Sequence, residues 1–285
     1  MTIKRVGIVG SGIMGAGIAE TAAKAGFEVV LRSRQRQTAD ATLAGLEKSL
    51  AKQVERGKLA EEESAATLSR VTATSDLAEL AGVDLVVESV VEDLETKKHL
   101  FRELDRVVVG TAILATNTST LPVVELAMET NRPELVCGVH FFNPAPAMAL
   151  VEIVRPLTAA DATIDAVREF AIACGKEPVL VKDQAGFIVN HLLFPYLNNA
   201  VRLLESSVAS REDIDAAMKG GCNFPMGPFA LLDLVGLDTS LAILDALYDE
   251  FRDPHYAAVP LLRRMVTAGQ LGRKSGQGFY DYRRK

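Results

Sequence analysis

His140 closes an apolar run in "VHFFNPAPAMALVEIV", and Glu152 stands twelve residues further on, inside the next apolar run. A strand, a turn and a returning strand with that spacing can bring the carboxylate back beside the imidazole. A carboxylate on one ring nitrogen fixes the tautomer and stabilises the charged ring, which leaves the other nitrogen to accept a proton. By itself, a histidine at a strand end is more often a hydrogen-bonded structural residue. His140 differs in its company. Asn117, Thr118 and Ser119 end another apolar run in "ILATNTST", and Asn143-Pro144 follows His140 directly. In open α/β sheets ligands bind beyond the carboxyl ends of the strands, so these polar ends would face one site.

A second chemistry is written near the N-terminus. In "VGIVGSGIMGAGIAE", Gly10, Gly12 and Gly15 form G-x-G-x-x-G after a strand-like run and at the opening of a helix, the context that gives the pattern its meaning. Gly10 permits the tight turn, Gly12 the approach of a pyrophosphate, and Gly15 close packing of helix on strand. Ile13 and Met14 open the helix, whose unpaired N–H groups would face the phosphates.

The usual acidic residue for the adenosine ribose falls about twenty residues later, at the end of the second strand. Here that strand runs "EVVLRSRQRQ", and the register places Ser33 in the position. A carboxylate there would repel a 2′-phosphate. A serine can donate to one, and Arg34 could clamp it with two hydrogen bonds, with Arg32 or Arg36 adding charge. The expectation is NADP(H) in preference to NAD(H). The alternative is a solvated basic turn, with the ribose held in some other way.

These residues require a frame that presents strand ends to one side. Strand signals are expected at 71–74, 83–88, 112–116, 135–140, 149–154 and 177–182, after the two in the glycine-loop unit, with helical patterns between several of them. That alternation predicts a largely parallel sheet covered on both faces. Residues 39–69 predict a helical hairpin broken at Gly57. After residue 182 the pattern turns helical: a long apolar helix through "GFIVNHLLFPYLNNAVRLLES", a helix capped by Ser210 with Asp213 three residues on, and helices at 228–250 and 257–268. The domains expected are 1–184, α/β, and 185–285, all-helical.

Composition narrows the classes further. The chain has 285 residues, 48% hydrophobic, with a net charge of −6. It can bury a full core, and it presents no general nucleic-acid surface. No run approaches the length of a membrane span, and the N-terminus lacks a signal-peptide core. A cytosolic protein without a membrane partner is expected. Cys137, Cys174 and Cys222 are far apart and suggest neither a disulfide framework nor a metal site. The apolar helical half is rich enough to predict a homodimer formed through it.

The segments "GSGIMGAGIA", "ATNTST", "HFFNPAPAMALVEIV", "GFIVN", "PMGP" and "LGRKSGQGFYDY" occur in order. Together they resemble the 3-hydroxyacyl-CoA dehydrogenases, nearest to the short, single-function 3-hydroxybutyryl-CoA type, over essentially the whole chain. The resemblance implies a Rossmann-type domain followed by a helical substrate and dimerisation domain. It also implies hydride exchange between a nicotinamide cofactor and a 3-hydroxyacyl-CoA. His140 matches the base, Glu152 its partner, Ser119 the serine that binds the 3-oxygen, and Asn190 the asparagine of the helical domain that completes the site. Glu92 and Lys97 match residues near the nicotinamide and its ribose, and Asn117 and Asn143 match site-lining positions. Lys48 and Lys52 resemble lysines that face coenzyme A, and their i, i+4 spacing shares one helix face.

Three departures stand out. Ser33 replaces the usual aspartate, Thr120 a second serine, and His191, expected at the domain interface, a basic residue. Other readings open at this level are a relative acting on an acyl-carrier-protein thioester or a free hydroxy acid, and an idle cofactor-binding protein.

Overall fold

The computed structural model describes residues Thr2–Arg283. The chain forms two compact units that meet in sequence between Asp183 and Gln184.

The first unit is built on eight strands: β1 (Arg5–Val9), β2 (Glu28–Arg32), β3 (Val71–Thr74), β4 (Leu85–Glu88), β5 (Ile113–Thr116), β6 (Val136–Phe141), β7 (Leu150–Arg155) and β8 (Glu177–Lys182). They lie in one sheet in the order β3-β2-β1-β4-β5-β6-β7-β8. The first six are parallel, β7 pairs antiparallel to β6, and β8 runs parallel to β7. The central strands are short and almost wholly apolar because helices cover both faces, so no alternation of polar and apolar residues survives. Val6, Ile8, Leu85, Val87, Ile113 and Ala115 are buried together at the centre of this core.

Six helices accompany the sheet: α1 (Ile13–Lys24), α2 (Arg36–Glu55), α3 (Glu61–Ser69), α4 (Leu94–Val107), α5 (Val123–Ala127) and α6 (Asp161–Ala173). α1 ends where Gly26 takes φ 96°, with Gly26 N–H donating to Ala23 O and Phe27 N–H to Ala22 O. That double bond pattern satisfies the last carbonyls of the helix and needs a left-handed residue, hence glycine. The hairpin expected over 39–69 is α2 and α3, which starts three residues early because "RQTAD" joins the helix.

The second unit is all-helical: α7 (Val189–Glu205), α8 (Arg211–Cys222), α9 (Pro228–Val235), α10 (Leu237–Phe251) and α11 (Pro260–Thr267). Ser210 caps α8, accepting from Asp213 N–H at 3.1 Å and donating to its carboxylate at 2.5 Å. The single helix expected at 228–250 is two. Gly236, with φ 103°, breaks it, which lets Leu237 N–H donate to Leu271 O. The "LGRKSGQGFYDY" segment is gripped by two buried carboxylates. Asp233 accepts from Phe279 N–H and Tyr280 N–H at 2.8 Å each, and Asp215 accepts from Tyr280 Oη at 3.0 Å. His191 packs inside this unit. Its Nε2 lies 2.9 Å from Tyr256 Oη, and its ring meets Phe251 edge-on. Among the described residues no helix is long and apolar enough to cross a membrane.

Candidate active site

The carboxyl ends of β4, β5 and β6 carry the polar residues of the first unit. His140 and Glu152 are directly opposed in the antiparallel β6–β7 ladder. Side chains opposite one another in such a ladder share a face and lie within hydrogen-bonding reach. His140 Nδ1 is 2.8 Å from Glu152 Oε2, with the carboxylate wholly buried. A carboxylate can only accept, so Nδ1 carries the proton of a neutral ring and Nε2 is left as an acceptor. Ser119 Oγ sits 3.3 Å from that Nε2. The ring of Phe142 tilts against the imidazole at 4.5 Å between centroids.

Asn117 ties the neighbouring strand ends together. Its N–H donates to Glu88 O at 2.7 Å, and its Oδ1 accepts from Phe141 N–H at 2.8 Å. Asn143 begins the following loop, exposed and before a cis proline peptide bond. Lys176, nearly buried, donates to Ala145 O at 2.6 Å and Met148 O at 2.8 Å and so closes that loop. Burial holds its ammonium below the usual lysine range.

Beside the serine lies an ionic group, buried at Lys97 and Glu88 and exposed at Glu92, that the sequence indicated only in part. Lys97 is fully buried and makes 2.9 Å contacts with both oxygens of Glu88, which is equally buried. Glu88 also accepts from Thr116 Oγ1 and Val90 N–H. Glu92 is 3.2 Å from Lys97 and accepts from Thr118 Oγ1 and Ser119 N–H. Glu92 and Lys97 are the two that the family resemblance singles out. Thr118 belongs to the polar strand end already noted, while Glu88 was not singled out, although an acid closing the apolar run "DLVVE" was the available signal.

The glycine loop fits a dinucleotide. A methyl group on Gly15 would lie 1.9 Å from Gly10 O, and one on Gly10 would lie 2.2 Å from Ser89 O. Both glycines are therefore imposed by backbone approach. A methyl on Gly12 would meet nothing within 4 Å, so space is open where the pyrophosphate would lie. α1 begins with no side-chain cap and no acidic residue in its first turn, with Ile13 exposed, which leaves its N–H groups and dipole for an anion.

At the end of β2, Ser33 is nearly buried and its Oγ accepts from Ser11 Oγ at 2.9 Å. Arg34 is exposed. Arg36 is engaged by Asp40 at 2.9 Å, and Arg32 Nε is buried without a hydrogen-bond partner among the described residues. Lys48 and Lys52 are exposed on α2. Asn190 is buried in the first turn of α7 in the second unit.

The family model for the 3-hydroxyacyl-CoA dehydrogenase NAD binding domain matches residues 5–184, and that for the C-terminal domain matches residues 186–282. The chain belongs to the 3-hydroxyacyl-CoA dehydrogenase family. It is 48% identical to a 3-hydroxybutyryl-CoA dehydrogenase of Mycobacterium tuberculosis, covering 98% of this chain and 99% of that one. It is 47% identical to the enzyme of that name from Clostridioides difficile, at 98% and 99% coverage. The crystal structure of (S)-3-hydroxybutyryl-CoA dehydrogenase from Ralstonia eutropha superposes with a TM-score of 0.97 at 41% identity, covering 99% of this chain and 100% of that one. Like the family, the protein is an oxidoreductase built on a Rossmann-type domain for a nicotinamide dinucleotide.

Proposed function

We propose that this enzyme interconverts 3-hydroxybutyryl-CoA and acetoacetyl-CoA with NADP(H) as its preferred cofactor. The observation that carries the chemistry is the buried Glu152–His140 pair, whose second ring nitrogen, Nε2, lies 3.3 Å from Ser119 Oγ. The nicotinamide ring, when bound, accepts or supplies the hydride exchanged with C3 of the acyl chain. The glycine loop and the first turn of α1 would hold the cofactor's pyrophosphate.

In the oxidation direction His140 Nε2 takes the proton of the 3-hydroxyl while C3 gives up its hydride. The products are the 3-oxoacyl thioester, the reduced cofactor and a proton held on the ring. Glu152 keeps Nδ1 protonated throughout and offsets the charge that appears on the imidazole. In the reverse direction the charged ring returns its proton to the oxygen. Ser119 Oγ, whose distance to Nε2 leaves both within reach of one substrate oxygen, donates to that oxygen and polarises the ketone. Asn190 is assigned as the second polar contact to the substrate. Lys48 and Lys52, exposed and one turn apart, are assigned to the phosphates of coenzyme A.

Cofactor preference rests on the end of β2. No carboxylate stands at position 33 to accept from the ribose 2′-hydroxyl or to repel a 2′-phosphate. Arg34 is exposed there, and Arg36 is engaged with Asp40. Arg34 is thus the guanidinium best placed to clamp a phosphate. The helical unit leaves Leu192, Leu203, Phe224 and Leu234 exposed, which supports self-association through that unit as a homodimer.

Steady-state reduction of acetoacetyl-CoA with NADPH and with NADH tests the reading. A kcat/KM at least tenfold higher with NADPH is expected. A tenfold preference for NADH would overturn the cofactor assignment alone, and no turnover with either would overturn the substrate assignment. Light scattering should give twice the 30.6 kDa chain mass, and a monomer would refute the dimer.

A further inference from the structure

Ser119 lies on the turn between β5 and α5, outside the sheet, and its hydroxyl reaches His140 Nε2 on β6 at 3.3 Å. The turn is held from outside by one carboxylate oxygen. Glu92 Oε1 accepts from Thr118 Oγ1 at 2.5 Å, from Ser119 N–H at 2.8 Å and from Thr120 N–H at 3.3 Å. Thr118 is almost completely buried, and its Oγ1 accepts in turn from Leu121 N–H at 3.0 Å. The other oxygen of Glu92 faces Lys97 Nζ at 3.2 Å. Lys97 cannot follow it, because both oxygens of the buried Glu88 hold the ammonium at 2.9 Å. Glu88 is in turn fixed by Thr116 Oγ1 and Val90 N–H. A chain of charge-assisted bonds therefore runs from the ends of β4 and β5 through Lys97 and Glu92 to the backbone of Ser119.

We propose that Glu92 is a positioning residue that aims Ser119 Oγ at the oxygen shared with His140, with buried Lys97 as its fixed anchor. The inference rests on the reading of Ser119 as the group that binds the 3-oxygen. Charge-assisted bonds to a carboxylate are short and strong, and a misplacement of about 1 Å at a reacting atom costs roughly a hundredfold in rate. The network also indicates which variant is informative. Removing Glu92 leaves Lys97 and Glu88 as a neutral buried pair, so Glu92→Ala should fold. Removing Lys97 would strand the buried carboxylate of Glu88.

The test is a double-mutant cycle combined with amide exchange. Glu92→Ala and Thr118→Val should each lower kcat about 10- to 100-fold, with the KM for cofactor changed less than about threefold, while Thr118→Ser restores most of the rate. In a Ser119→Ala background, Glu92→Ala should cost less than a further threefold, because the group it positions is gone. Independently of activity, hydrogen exchange at Ser119 and Thr120 should quicken about tenfold or more in Glu92→Ala. If Glu92 instead served only to contact the cofactor, its effect would appear in cofactor KM and would add fully to that of Ser119→Ala. Either of those results, or unchanged exchange at Ser119, would overturn the proposal. Should the wild type fail to turn over acetoacetyl-CoA, the functional reading fails, and the exchange measurement still decides whether Glu92 holds the turn.

Discussion

Replacing Glu152 by glutamine removes one charge and almost no volume. Position 152 lies on β7, fully buried between β6 and β8, so the amide side chain can occupy the same space with the ladder intact. The consequence for His140 follows from distance. Its Nδ1 lies 2.8 Å from the carboxylate oxygen, which places the two charge centres of a protonated pair roughly 4 Å apart. At an effective dielectric constant near 20, opposite charges at that separation attract by about 4 kcal/mol. A difference of that size, if fully expressed in the transition state, is about three decades in rate. The amide oxygen still accepts from Nδ1, so part of the stabilisation survives, and a fall in kcat of about 10²- to 10³-fold is expected. The assay is stopped-flow and steady-state oxidation of the reduced cofactor by acetoacetyl-CoA, with cofactor affinity measured separately by fluorescence titration and stability by thermal melting. Affinity and melting temperature should stay near wild type, since Glu152 is not assigned to the cofactor. A kcat within threefold of wild type would mean that the carboxylate does not stabilise the charged ring, and the proposed role of the pair would be refuted.

At the ribose end, Ser33→Asp combined with Arg34→Ile should shift the NADPH:NADH ratio of kcat/KM toward NADH by about a hundredfold, since it exchanges a charge-assisted clamp for a repulsive carboxylate. Steady-state kinetics with both cofactors decide the matter, and an unchanged ratio would show that β2 does not read the 2′-phosphate. Lys48→Ala with Lys52→Ala should raise KM for acetoacetyl-CoA about tenfold with little change in kcat, and wild-type KM should rise with salt while the variant's does not. In the scaffold, Asp105 accepts from Asn131 and pairs with Arg132 at 2.7 Å. Burial opposes its ionisation, but the hydrogen bonds from Asn131 and Arg132 prevail and hold the carboxyl below its usual range. Its folded-state value is lowered, so the stability it contributes is complete above the unfolded value near 4 and is lost as pH falls through the folded one. Asp105→Asn should therefore cost about 2 kcal/mol at pH 7, a drop of about 4–8 °C in Tm, and the difference from wild type should shrink below about pH 4.

Local chemistry wrote much of this molecule into its sequence. Gly10 and Gly15 announced a backbone pressed against itself, because no other residue tolerates a Cβ 1.9–2.2 Å from a carbonyl oxygen. Hydrophobic runs closed by polar residues located the strands to within about two residues, since a fully covered parallel sheet leaves no polar face to blur the pattern. The twelve-residue interval from His140 to Glu152 allowed their pairing, and the antiparallel register of β6 and β7 across the 142–149 connection is what sets the two opposite each other. What the sequence could not express was any contact made across long intervals or by the length of a flexible side chain. The split of residues 228–250 at Gly236 depends on a tail more than thirty residues away that Asp233 must bind. Arg36, a candidate phosphate ligand by position, is committed to Asp40 one helical turn on. Lys97 is singled out in the sequence only by resemblance, and its pairing with Glu88 is not. Only the packing of α4 on the sheet buries Lys97 against Glu88, with the more exposed Glu92 3.2 Å away and bonded to the backbone of Ser119.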